Sequence, residues 1–157
     1  MSVKPIPDGY TTVTPYLILK DAAKAIAFYL NALGATEAMR LADPSGKVMH
    51  AEIRVNGSPI MLADEFPEMG FRSPETIGGS PVSIHLYVED VNAFVDRAVK
   101  AGAKLTRPVA DQFYGERSGG FQDPFGHVWH VATRVEDLSP EEIQTRFEAA
   151  MKSGTSQ

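Results

Sequence analysis

The 157-residue chain has no cysteine. That excludes a disulfide framework, a thiol nucleophile and a thiolate-bound zinc. It lacks any apolar run near the roughly 20 residues that cross a bilayer. Its first ten residues, M-S-V-K-P-I-P-D-G-Y, lack the apolar core of a signal peptide. It has no basic excess: 15 Lys and Arg against 20 Asp and Glu leave a net charge of −5. Such a balance offers no electrostatic grip on nucleic acid or an anionic membrane. With 43% apolar and 22% charged residues, what remains is an ordinary globular composition, sized for one compact domain. The expectation is a cytoplasmic protein that handles something small.

What is present is a repeat. Pro81–Asp90 reads P-V-S-I-H-L-Y-V-E-D, with Val82, Ile84, Leu86 and Val88 alternating against Ser83, His85, Tyr87 and Glu89. Period-2 alternation of this kind marks a strand with one apolar and one polar face. Asp90 suits a helix N-cap, and N-A-F-V-D-R-A-V-K-A-G follows with helical spacing and a closing glycine. The first half repeats the plan, as T-V-T-P-Y-L-I-L-K-D and then A-A-K-A-I-A-F-Y-L-N-A-L-G. Leu19-Lys20-Asp21 matches Val88-Glu89-Asp90 at an offset of 69 (88 − 19), and Asn56-Gly57 matches Phe125-Gly126 at the same offset. Two landmarks sharing one offset imply an internal duplication.

Each half then reads βαβββ. In the first, a strand places Val13, Pro15, Leu17 and Leu19 on one face and Thr14, Tyr16 and Ile18 on the other. Helix Ala22–Leu33 follows, then strands Thr36–Leu41, Lys47–Val55 and Pro59–Ala63. Met49, Ala51, Ile53 and Val55 are expected on the apolar face of the third strand, with His50, Glu52 and Arg54 opposite. Asn56-Gly57 is a strong hairpin signal. Residues 65–80, rich in Pro and Gly, read as a linker that could fold over a site. The second half runs through strand Val82–Val88, helix Val91–Ala101, and strands Lys104–Val109, Arg117–Gln122 and His127–Thr133. Ser139-Pro140-Glu141-Glu142 is a capping box that opens a C-terminal helix at 139–152, expected to dock on the body or a partner subunit through Ile143, Phe147 and Met151. G-G-S at 78–80 and S-G-G at 118–120 read as turns rather than phosphate cradles.

The two modules and the closing D-P-F-G-H-x-W-H hairpin resemble the vicinal oxygen chelate superfamily, the glyoxalase, bleomycin-resistance and dioxygenase proteins. H-A-E-I-R-V-N-G and D-Q-F-Y-G-E-R are similar to its PhnB-like branch. The resemblance spans roughly Tyr10–Thr133. It implies an α+β fold in which two βαβββ modules, 10–64 and 81–134 of a single domain 1–157, form a curled mixed-sheet cup with helices outside. It also implies a homodimer and a small-molecule ligand inside the cup.

On that resemblance, Leu17/Leu19, Ile53/Val55 and Ile84/Leu86 pack on helices, while Thr14, Tyr16, His50, Glu52, Met61, Ser83, His85, Tyr87 and His130 line the cup. The family's four metal-holding places fall on Thr14, Met61, Ser83 and His130. One imidazole, one thioether and two hydroxyls make a poor set for Zn²⁺, Ni²⁺ or Fe²⁺, so no metal or other cofactor is expected. The alternative is one displaced divalent ion (Zn, Ni, Mn or Fe) on His50, Glu52, His85 and His130, or an acid/base pair without metal. His130 and Glu52 are the candidate catalytic residues. Gln112, Tyr114 and Arg117 are placed at the cup's mouth, Arg117 either gripping an anion or pairing with Asp111 or Glu116. Arg54 is a candidate neutraliser of Glu52. His127 is assigned to a turn or outer surface, and Trp129 to the core or an interface. The leading expectation is a metal-independent binder of an aromatic or cationic molecule, with Tyr16, Tyr87, Phe113 and Tyr114 as walls. The competing one is a lyase, isomerase or dioxygenase.

Overall fold

A computed structural model describes residues 2–154. The first module is β1 (Tyr16–Leu19), α1 (Ala22–Ala32), β2 (Thr36–Ala42), β3 (Val48–Val55) and β4 (Ser58–Asp64). A 3-10 turn at Pro67–Met69 and the short helix α2 (Pro74–Ile77) lead to the second module. That is β5 (Ser83–Tyr87), α3 (Val91–Lys100), β6 (Lys104–Asp111), β7 (Glu116–Gln122) and β8 (Val128–Arg134), followed by α4 (Pro140–Lys152). The sheets run β1-β4-β3-β2 and β5-β8-β7-β6, each with one parallel pair and two antiparallel ones.

The duplication extends to individual bonds. Tyr16 stands opposite Met61 and His85 opposite His130, an offset of 69 in both strands (85 − 16 and 130 − 61). Asp21 and Asp90 cap α1 and α3 by accepting from the backbone N–H of Lys24 and Ala93, each at 3.1 Å. The Asp64 carboxylate receives the Ala22 N–H at 2.8 Å, and at the matching place Thr133 Oγ1 receives the Val91 N–H at 2.9 Å. One ancestral plan has kept its bonds while changing its side chains.

Both long helices of the modules lie on one side of the sheets. Ala22, Ala25, Ile26, Tyr29 and Ala32 of α1 are buried on the first, and Val91, Val95 and Ala98 of α3 on the second. Three buried alanines, Ala22, Ala25 and Ala32, let α1 approach its sheet closely. The modules meet at Asp123, a carboxylate only 3% exposed. Its Oδ2 accepts from Tyr29 Oη of α1 at 2.6 Å and Trp129 Nε1 of β8 at 2.9 Å. Its Oδ1 accepts from the backbone N–H of Phe125 at 2.9 Å and His127 at 3.0 Å. A buried charge is tolerated only when bonded this fully. Burial, with the Asp123 charge and hydrogen bond behind it, pushes the Tyr29 phenol well above its ordinary pKa. Trp129 is thus core.

Several boundaries depart from expectation. β1 starts at Tyr16, and Val13 is 81% exposed, although the Pro15 carbonyl still accepts from Met61 N. Pairing jumps from Leu41↔His50 to Ala42↔Val48, a bulge that buries Val48 and turns Met49 out, 43% exposed. S-G-G at 118–120 is not a turn but the middle of β7, where the strands approach too closely for side chains. A Cβ at Gly119 would stand 2.8 Å from Val109 Cγ2, and one at Gly120 3.0 Å from His130 Nδ1. His127 lies at the seam rather than on the outer surface, its Nε2 3.0 Å from the Ile18 carbonyl. The Ser139/Glu142 capping box is present, while α4 buries no residue and leans on the body through Phe147 against Phe113 and Arg146 against Glu136.

Tyr29→Phe leaves Asp123 one bond short and is expected to lower stability by about 1–3 kcal/mol, with Asp123→Ala lowering it further by orphaning four donors. Urea unfolding followed by Trp129 fluorescence measures both, and equal midpoints for Tyr29→Phe and the parent would refute this role.

Candidate functional site

The sheet face away from the helices carries the polar residues, and strand register sorts them into two matching rows. Across the first sheet the row is Tyr16, Met61, Glu52, Met39. Across the second it is His85, His130, Gly120, Arg107. The shared plan therefore holds two different chemistries.

In the first half-cup, Glu52 Oε2 lies 3.0 Å from His50 Nε2, and His50 Nδ1 lies 2.8 Å from Tyr16 Oη. A carboxylate can only accept, so Nε2 carries a proton, and in the Nε2–H tautomer Nδ1 accepts from the tyrosine. Burial raises the Tyr16 pKa, so the phenol stays protonated at neutral pH. Arg54 does not touch Glu52; it reaches the carbonyls of Gly9 and Gly57. Tyr16 also borders an apolar slot of about 420 Å³, lined by Ile18, Met49, Ala63, Phe66, Met69 and Phe71. Residues from the linker roof this slot: Phe66 and Phe71 pair as a lone β-bridge, with Lys47 Nζ 3.9 Å from the Phe66 ring centroid. Glu65 steadies the roof by accepting from Ser73 N and Thr76 Oγ1.

In the second half-cup, Arg107 Nη2 donates to Ser118 Oγ at 2.8 Å, while Arg107 Nε and His130 Nδ1 are buried without a partner. His130 is held below its ordinary pKa by burial, then by the positive charge of Arg107 and by His85. His85 packs edge-on against Tyr87, ring centroids 5.0 Å apart, and Tyr87 Oη donates to Glu116 Oε1 at 2.6 Å. That bond is the main reason the Tyr87 pKa rises.

The other expected site residues lie nearer the rim. Thr14 precedes β1, and Ser83 opens β5. Gln112 bonds the Ala110 carbonyl and Tyr114 packs edge-on against Phe113, but Arg117 is not at the cup's mouth: it turns to the helix side, donating to Asn92 Oδ1 of α3 at 2.9 Å and pairing with Asp111 at 3.1 Å. A larger depression, about 1280 Å³, opens at the Tyr87–Glu116 edge of the second half-cup, around Asp90, Phe94 and Arg97. It is broad and shallow and gathers none of the imidazoles, so the cup is the better candidate.

The metal set does not fit. The inherited corners supply His130 alone as a good donor, and the displaced set divides into His50–Glu52 on one sheet and His85–His130 on the other. Among the described residues no three His, Asp or Glu come together to hold an ion. Sequence reasoning missed Arg107, Ser118 and the aromatic roof. The paired glycines inside β7 were the available signal, since glycine within a strand marks close approach by another group.

His130 is expected to titrate below the free-histidine range, and Arg107→Met to bring its pKa part of the way back, leaving the share due to burial. Because the folded value is the lowered one, the unfolded chain binds more protons between the two values. His130 therefore subtracts stability as pH falls through that window and nothing above it. Proton–carbon NMR of the imidazoles across pH reads the shift, and an unperturbed His130 would contradict the burial and charge described.

Residues 10–131 match the Glyoxalase/Bleomycin resistance protein/Dioxygenase superfamily. An uncharacterised protein of Mycobacterium bovis is 44% identical over 144 residues, 90% of this chain and 92% of its own. The crystal structure of protein PA1353 from Pseudomonas aeruginosa superposes with a TM-score of 0.63 at 26% identity, covering 81% of this chain and 100% of its own. A Bacillus cereus structure described as a putative 3-demethylubiquinone-9 3-methyltransferase, PhnB protein, gives 0.60 at 16% identity, over 78% and 99%, a likeness of fold alone.

Proposed function

The chain belongs to the Glyoxalase/Bleomycin resistance protein/Dioxygenase superfamily, and we propose that its cup binds a small molecule without a four-ligand metal site. The observation that carries the reading is the roofed apolar slot beside Tyr16, Met49 and Phe71. A site of that volume, mostly apolar with a few converging polar groups, suits a small organic ligand. The donor set supports the metal-free part, since a thioether and two hydroxyls replace three of the family's four ligands. Within the family, the likeness of H-A-E-I-R-V-N-G and D-Q-F-Y-G-E-R supports the PhnB-like branch as part of this proposal.

A second reading is favoured by one observation, the Glu52–His50–Tyr16 chain of hydrogen bonds ending at the slot. A phenol backed by an oriented imidazole can give and retake a proton, the task of a metal-free isomerase or lyase.

Two measurements separate these readings from the metal enzyme. Untagged protein is expected to carry substoichiometric divalent metal and to bind the neutral dye Nile red saturably. Phe71→Ala should weaken dye binding roughly tenfold, about 1.4 kcal/mol. Stoichiometric metal lost on His130→Ala would overturn the reading. Deuterium exchange into 2-hydroxyketones in heavy water, abolished by Tyr16→Phe and slowed by Glu52→Gln, would establish the second reading instead.

A further inference from the structure

We infer that Arg107, Ser118 and His130 seat the anionic group of the cup's ligand, a carboxylate, phosphate or phosphonate on an otherwise compact organic molecule. The inference rests on the cup-binding reading and adds the ligand's charge and the end at which it sits.

Arg107 differs from the other arginines, of which Arg72 is exposed to solvent. Arg40, Arg117, Arg134 and Arg146 each pair with a carboxylate, and Arg54 and Arg97 donate to backbone carbonyls. Among the described residues Arg107 is the half-buried arginine whose guanidinium meets neither. Its single hydrogen bond goes to the neutral Ser118 Oγ, and its Nε is buried without a partner. A guanidinium is always charged, and shielding it from water without a counter-charge is unfavourable. The acids nearest along the strands are taken: Glu116 accepts from Tyr87, and Asp111 pairs with Arg117.

The surroundings are built from donors. Arg107 faces Gly120 across β6 and β7, and Gly120 faces His130 across β7 and β8. Gly120 brings no side chain between them; the point where its Cβ would stand lies 3.0 Å from His130 Nδ1 and 3.1 Å from Thr106 Oγ1. A guanidinium, two hydroxyls and an imidazole thus converge on one stretch of bare backbone. That matches an oxyanion, which needs several donors and at least one positive charge. It also reverses the cationic ligand expected from the net charge. Distant surface acids are screened over about 8 Å at physiological salt, so Arg107 governs the local field.

The test uses the whole chain, isotope-labelled, titrated at constant ionic strength with inorganic phosphate, methylphosphonate or acetate. The His130 imidazole and Arg107 Nε–H resonances are followed by NMR. At least one anion is expected to shift both saturably, with Arg107→Met weakening it at least tenfold and Arg107→Lys less. Phosphate or methylphosphonate outdoing acetate assigns a tetrahedral group, and the reverse order a carboxylate. Linear, non-saturating shifts, or equal affinity in a folded Arg107→Met protein, would overturn the seat. Nile red binding by the unmutated protein isolates the premise. Dye bound without any saturable anion effect overturns the seat and leaves the cup; saturable anion binding without dye overturns the slot and leaves the seat.

Discussion

Everything else in this molecule leans on the Asp123 carboxylate. It is buried, and it gathers donors from α1 of the first module and from β8 and the closing turn of the second. Removing any of those donors would strand a charge away from water, so the contact tolerates little sliding of one module on the other. Arg97 Nε on the Asn31 carbonyl and His127 on the Ile18 carbonyl add two further bonds across the same seam. Phe28 and Phe125, edge to face at 6.0 Å, close it with apolar surface. Gly126, at a φ of 95°, makes room for the linker: a Cβ there would strike Pro74 at 2.7 Å.

A rigid seam between two copies of one plan frees the opposite face to diverge. The bonds that start the helices and set strand register have been kept, because changing them unfolds a module. The outward rows carry no such duty. Tyr16 and Glu52, joined through His50, became a hydrogen-bonded chain beside an apolar slot, while His85, His130, Gly120 and Arg107 became a donor-rich wall. A ligand spanning the cup would meet oil at one end and positive charge at the other. Such asymmetry would fix the orientation of a bound molecule.

The parts legible in sequence were those dictated by local chemistry. Asp90 as a cap, Asn56-Gly57 as a hairpin, Ser139 to Glu142 as a capping box and the offset of 69 between halves each follow from a few neighbouring residues. Alternation also placed His85 and His130 on one face. It failed where bulges shift the period. The jump at Leu41/Ala42 moved Met49 out of the core, and two shifts in β6 set the register of Arg107. Bulges depend on what the neighbouring strand can accommodate, which no single-strand pattern records. The roof over the slot was invisible for a related reason: Phe66 and Phe71 meet through a bridge between residues that show no periodicity.

The poor metal-holding donor set and the proposed anion seat share one electrostatic cause. His130 is the surviving good donor at that corner, and its proton affinity is already lowered by burial and by Arg107. A divalent cation would feel the same guanidinium at twice the charge, and Met61, standing where a carboxylate would neutralise it, supplies none. The field that disfavours a metal favours an oxyanion, toward which the His130 imidazole can donate. With Arg107 in place, the second half-cup is suited to the charge that a metal-bound substrate oxygen would otherwise have brought against the ion. On the proposed reading, negative charge in the cup would be met by a guanidinium rather than by a metal ion.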